Sequence, residues 1–180
     1  MTLKEFKEAV FCFIEEYDSS SKELTKDTDI AGKINLVINS KMFEIMRYKK
    51  ITAKEEIDVV EDQEIEMEEI DENCYQIRKI VGVEYEQEDK FIKFNEDGKA
   101  IIYYNKYPET ITQKTADSYE FEVDREALEV MKFGVAADLL KTDVSNKFGQ
   151  IWDNEYQRLL QTLDSRKSTG KFTIGEGVNI

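Results

Sequence analysis

The 180-residue sequence contains no histidine. That removes the commonest general base, the commonest zinc ligand and every Ser-His triad. Proline occurs once, against ten Phe and nine Tyr, so long disordered linkers are not expected. Cysteine occurs twice, at Cys12 and Cys74. Two distant cysteines make neither a disulfide framework nor a zinc site, and both lie in apolar patterns, so buried free thiols are expected. No apolar run approaches ~18 residues, which excludes a membrane-spanning helix. The opening MTLKEFKEA is charged from the start and lacks a signal-peptide pattern, so a soluble chain made in a reducing cytoplasm is expected. Gly170, Gly175 and Gly177 do not open a helix, and no Gly-x-x-x-x-Gly-Lys-Ser/Thr is present, so no phosphate loop is expected.

Cations are also scarce. Lysine and arginine number 25 against 39 acids, a net charge of −14. Free nucleic acid is repelled by such a chain, because binding it requires clustered cations on the phosphates. The imbalance is local. Residues 1–50 hold nine cations and nine acids, and residues 124–180 hold eight and nine. Residues 51–123 hold eight cations and twenty-one acids, which marks them as a distinct sub-domain.

What is present is a folding chain, 41% hydrophobic with ten Phe and nine Tyr. Leu3, Phe6, Val10, Phe13, Ile14 and Tyr17 follow helical spacing over 2–17. Asp27 or Thr28 can cap a second helix whose stripe runs from Ile30 through Ile34, Ile38, Met42 and Ile45 to about residue 48. Between 51 and 123 the period shortens: Ile57, Val59, Ile65 and Met67 alternate with acids. FIKFNEDGKAIIYY predicts a hairpin turning at Asp97-Gly98, and Tyr119, Phe121 and Val123 predict one more short strand. Asp124 caps a helix lined by Ala127, Leu128, Met131, Val135, Leu139 and Leu140. Its small residues Gly134, Ala136 and Ala137 predict close packing on a neighbour. After a break at Thr142–Ser145, a last helix shows Phe148, Trp152, Tyr156, Leu159, Leu160 and Leu163. The expected fold is α+β: a bundle of terminal helices from 1–50 and 124–164, a small antiparallel sheet inserted at 51–123, and an extended arm at 165–180.

The run EEIDVVEDQEIEMEEIDE places eleven acids in eighteen residues. It reads as a solvated sheet face, as a calcium site (although the Asp-x-Asp-x-Asp-Gly loop is absent), or as a functional negative surface carried by Glu61, Asp62, Glu64, Glu66, Glu68, Glu69, Asp71 and Glu72. The tail SRKSTGKFTIGEGVNI has strand-like alternation and no hairpin partner beside it. Such a segment suits docking on another chain by strand addition. Arg166, Lys167 and Lys171 would meet acids, and Phe172, Ile174, Val178 and Ile180 would fill pockets. No convergent polar set nominates a catalytic residue, a cofactor or a metal site, so an enzyme is not expected.

The order of features carries a resemblance. A Tyr-rich strand, IIYYNKYPETIT, ends at Tyr107-Pro108. A helix follows with Val135-Ala136-Ala137-Asp138-Leu139-Leu140, then Asp143-Val144, then a helix with Tyr156 and Leu159. Over most of residues 74–170 this resembles the head-to-tail adaptors of tailed bacteriophages, also termed head-tail connector or head-completion proteins. The N-terminal helices fit as well. The resemblance implies a virion protein without an active site, forming a ring, typically of about twelve copies. The ring would sit under the portal protein, extend the channel through which DNA passes without specific binding, and seat the next neck or tail component. The middle sheet is larger than in many such adaptors. The rival expectations are a monomeric acidic module that mimics DNA against a basic partner, and a histidine-free enzyme holding a metal through its acids.

Overall fold

The computed structural model describes residues 1–15, 28–141 and 147–164. Among these residues the fold is α+β, with five helices and two three-stranded antiparallel sheets. Helix α1 spans Leu3–Phe13. Thr2 caps it by accepting from the Glu5 N–H, and the Glu5 carboxylate accepts in return from the Thr2 N–H. This reciprocal box satisfies two donors that a helix start otherwise leaves unpaired. Leu3, Phe6 and Val10 are buried along one stripe, but Cys12 is exposed, which corrects the expectation of two buried thiols. Cys12 stands about 160° around the helix from Val10, away from the face that Val10 and Ile14 bury. Helix α2 spans Thr28–Ile45 and buries Ile34, Ile38, Met42 and Ile45. Tyr17, Asp27 and the break at Thr142–Ser145 lie outside the described residues.

Helix α4, Arg125–Leu140, forms the centre of the bundle and packs against α1, α2 and α5, the last spanning Lys147–Asp164. The expected small residues let it do so. A Cβ on Gly134 would come 2.9 Å from the ring of Tyr156, so the α4–α5 approach depends on the missing side chain. Asp124 caps α4, its carboxylate accepting from the Ala127 N–H at 2.9 Å, and it also pairs with Lys49. Asp124→Ala is expected to cost about 1 kcal/mol in urea unfolding, and Asp124→Asn, which keeps an acceptor at the cap, clearly less.

The inserted region is two sheets rather than one. Strands β1 (Ile51–Val59), β6 (Gly98–Lys106) and β3 (Cys74–Val81) form the first, in the order β1-β6-β3. Strands β2 (Glu64–Glu66), β5 (Phe91–Phe94) and β4 (Tyr85–Glu88) form the second, in the order β2-β5-β4. A single turn of helix, α3 at Met67–Ile70, joins β2 toward β3. The predicted hairpin is therefore absent: β5 and β6 are consecutive yet belong to different sheets. The Asp97 carboxylate accepts from the Glu61 N–H at 2.6 Å instead of closing a two-residue turn, and the Phe94 N–H donates to Gln63 O. These bonds tie the segment after Phe94 to the β1–β2 connection, so the chain crosses from one sheet to the other at a corner. The uneven alternation of β3 reflects two register shifts, between Cys74 and Gln76 and between Ile77 and Lys79.

The sheets enclose one core of Val59, Ile65, Ile80, Ile92, Phe94 and Ile102, among others. Ile57 and Met67 pack on its margin, as their alternation predicts. The strand expected at Tyr119–Val123 is not formed. One isolated bridge joins Thr2 to Glu120, while the Phe121 ring packs at a tilt 5.1 Å from that of Phe6 and Val123 is buried in the helical core. Their alternation serves helix packing, because an apolar residue every second position also fits an extended segment lying across a bundle.

Candidate interaction surfaces

The described residues contain no cluster of three or more Cys, Asp and Glu side chains placed to hold a metal ion. The chemistry on display is that of contact surfaces and of two partly buried charge clusters.

The first cluster joins the sheets to the bundle. Lys106, near the end of β6, has its ammonium 3.2 Å from Asp71 and 2.7 Å from Glu122. The Tyr104 hydroxyl donates to the same Asp71 carboxylate at 3.1 Å, and the Asn73 N–H donates to its other oxygen at 2.8 Å. Burial pushes the Asp71 carboxyl up, but these donors together outweigh it and leave the group below the usual carboxylate range. Burial and the bond to Asp71 push the Tyr104 phenol up to about 12. Asp71 is thus spent inside the molecule and separates from the other acids of its run.

Those other acids are scattered. Glu61 and Asp62 follow β1, with Asp62 paired to Lys93 at 2.7 Å. Glu64 and Glu66 lie on β2. Glu69 caps the Glu66 N–H at 2.9 Å, Glu68 pairs with Lys90 at 3.1 Å, and Glu72 is exposed beyond α3. One run in sequence becomes several surfaces because β2 and α3 change direction within it. The arm residues Arg166, Lys167, Lys171, Phe172, Ile174, Val178 and Ile180 lie outside the described residues.

Apolar side chains are exposed in two places on the bundle. On α2, Leu36 and Phe43 are 72% and 46% exposed. They stand seven residues apart and so share a face. Phe43 lies about 160° around the helix from Lys41, which pairs with Asp138 of α4. That face therefore points away from the bundle. Its aromatic line continues onto the sheet: Phe43 meets Tyr107 at 5.7 Å, and Tyr107 meets Tyr75 at 4.6 Å. On α5, Phe148 and Ile151 are more than half exposed. Ile151 borders a shallow depression of about 460 Å³ with Phe133, Trp152 and Arg158. Phe148 thus departs from the buried stripe its spacing suggests. Leu36 and Phe43 were legible as apolar residues lying off the α2 stripe, a signal that stripe reading discards.

The chain matches no protein-family model and no curated protein.

Proposed function

We propose that the chain is a structural subunit of the head-to-tail junction of a tailed phage, a ring-forming adaptor beneath the portal. The observation that carries this reading is the pair of separate exposed apolar patches on two helices of the bundle: Leu36 and Phe43 on α2, Phe148 and Ile151 on α5. A closed ring requires two unlike faces on each subunit, one for each neighbour. Large exposed apolar side chains in groups mark interaction sites. The element order supports the reading as well, with the first and last described helices building one helical core and a Tyr-rich strand, β6, followed by Tyr107 against Phe43 of α2. In the assembled ring, exposed acids of the sheet region repel DNA phosphates and keep the passing duplex from adhering. The arm at 165–180 docks on a neighbour or on the portal, and the next neck component seats on the opposite side.

Co-sedimentation with portal rings encoded in the same genome tests the proposal, using the full chain and a version ending at Asp164. Ring-like stoichiometry is expected for the full chain, with loss of binding in the shortened one. Binding by both would remove the docking role from the tail. Binding by neither would sink the adaptor placed on the portal and favour the monomeric acidic module.

A further inference from the structure

The two sheets share one core, so their other faces look outward on opposite sides of the sub-domain. Those outer faces carry opposite charge. On the first sheet, cross-strand pairing sets Lys54, Tyr103 and Lys79 in one row and Thr52, Asn105 and Gln76 in the next. Lys50 reaches the second row, its ammonium 3.3 Å from Gln76 Oε1. Arg78 is left over at a register shift of β3 and lines the same depression, of about 520 Å³. Among the described residues no carboxylate forms an ion pair with Lys54, Arg78 or Lys79. Two acids share that face farther along β1: Glu56, engaged with Lys99 at 2.7 Å, and Asp58, set opposite Lys99 by the strand register. So a chain of net charge −14 places Lys54 and Lys79 on either side of an exposed tyrosine, with Lys50 and Arg78 beside the next row.

The second sheet is the inverse. Its outer rows are Glu64, Lys93, Glu86 and Glu66, Phe91, Glu88. Four carboxylates surround one lysine, already held by Asp62, and one exposed phenylalanine. The groove over them measures about 730 Å³.

We propose that these faces bind each other between copies: the acidic sheet face of one chain docks on the basic sheet face of the next. The inference rests on the ring reading and assigns part of its subunit contact. The partner is a second copy because the complementary charges and the two aromatic anchors, Tyr103 and Phe91, are all present on this one chain. The faces point in opposite directions, so each copy engages two neighbours and the contact propagates head to tail. Two like faces repel, which disfavours a two-fold dimer. The smaller, acidic face limits the contact: three strands ~4.8 Å apart and three to four residues long cover on the order of 200 Å². That is about a quarter of the roughly 800 Å² per partner in a stable interface, so the sheet contact works alongside the apolar patches of the bundle.

Sedimentation velocity of the full chain, from micromolar to millimolar and at two salt concentrations, reads the contact. Wild type is expected to self-associate, less so at high salt. Lys54→Glu with Lys79→Glu, and Glu64→Lys with Glu86→Lys, should each weaken association about tenfold or more. All four together should return it to within about threefold of wild type, because the charges are then exchanged between the faces. General repulsion predicts otherwise: the first pair makes the chain more acidic and the second less so, and the second would then associate more tightly. The proposal fails if wild type stays monomeric throughout, if either pair is without effect, or if the combination does not rescue. It also fails if a labelled single-stranded oligonucleotide binds wild type saturably and loses binding with Lys54→Glu and Lys79→Glu, since the basic face then belongs to nucleic acid. Portal co-sedimentation separates the two claims. Wild-type decoration of portals with the four variants indifferent sinks the face pairing alone, and self-association without portal binding sinks the adaptor alone.

Discussion

Tyr156→Ala is expected to remove about 3–5 kcal/mol, enough to leave the helical bundle barely folded. Tyr156 is fully buried on α5, in the one place where α4 yields a glycine to it. Its ring lies against Gly134 on one side, and the Lys41 ammonium stands 4.7 Å over its centre. Lys41 is itself buried, held by Glu44 at 2.8 Å and Asp138 at 3.1 Å. Burial pulls the Lys41 ammonium down, and those two carboxylates more than offset it, so it stays charged. Deleting the ring opens a cavity beneath a buried cation and removes a cation–π contact as well as packing. In urea the unfolding midpoint should fall by roughly 2 M, for a slope of about 2 kcal/mol/M. Tyr156→Phe keeps the ring and loses a hydroxyl that makes no well-formed hydrogen bond, so it should shift the midpoint little. A large loss in the phenylalanine variant would place the stabilisation in the hydroxyl and overturn this account.

Lys106→Met is expected to cost about 2–4 kcal/mol, because it strands Asp71 and Glu122 without their shared cation. The three side chains are only 12%, 17% and 25% exposed, which places the cost near that of a buried pair and above that of a surface one. Removing all three charges with Lys106→Met, Asp71→Asn and Glu122→Gln should recover most of the loss, since neutral groups need no partner ion. The pH dependence follows from the two shifts. Burial lowers the Lys106 ammonium, but Glu122 and Asp71 outweigh it and leave it raised. Its contribution is complete below the ordinary lysine value of about 10.4 and is lost only as pH climbs through the raised one. The Asp71 carboxyl is lowered, so its contribution is complete above about pH 4 and is lost as pH falls through the lowered value. The stability difference between wild type and Lys106→Met should therefore be flat from about pH 5 to 9 and shrink below about pH 4. A difference unchanged at pH 3 would show that Asp71 is not part of it.

Helices α1, α2, α4 and α5 were legible because an amphipathic stripe is a local pattern that burial on any neighbour will reward. Leu3, Phe6 and Val10, or Leu128, Met131 and Val135, had to turn inward together whatever they met. The Asp124 cap was equally local. Strand existence was legible at Phe91–Phe94 and Ile101–Tyr104, and strand pairing was not. Pairing is settled by contacts such as Asp97 to the Glu61 N–H, thirty-six residues apart, which no window around Asp97-Gly98 contains. The same limit explains Tyr119–Val123, whose alternation is real but whose partner is α1.

The sequence by itself determined the α+β class, the inward set of each helix, and an acid-rich middle. It also determined the absence of histidine, which no folding can supply. The tertiary structure decided where charge goes. Asp71 leaves the acidic run to serve Lys106, and the remaining acids are spread over β1, the β1–β2 connection, β2, α3 and the residue beyond it. Lys54 of β1 and Lys79 of β3 flank Tyr103 of β6, with Arg78 and Lys50 beside the next row, in and at the edge of the segment that holds nearly all the net negative charge. Composition sums charge along the chain, whereas a sheet sorts it by side: alternate residues of one strand face opposite ways, and cross-strand register gathers those that face alike.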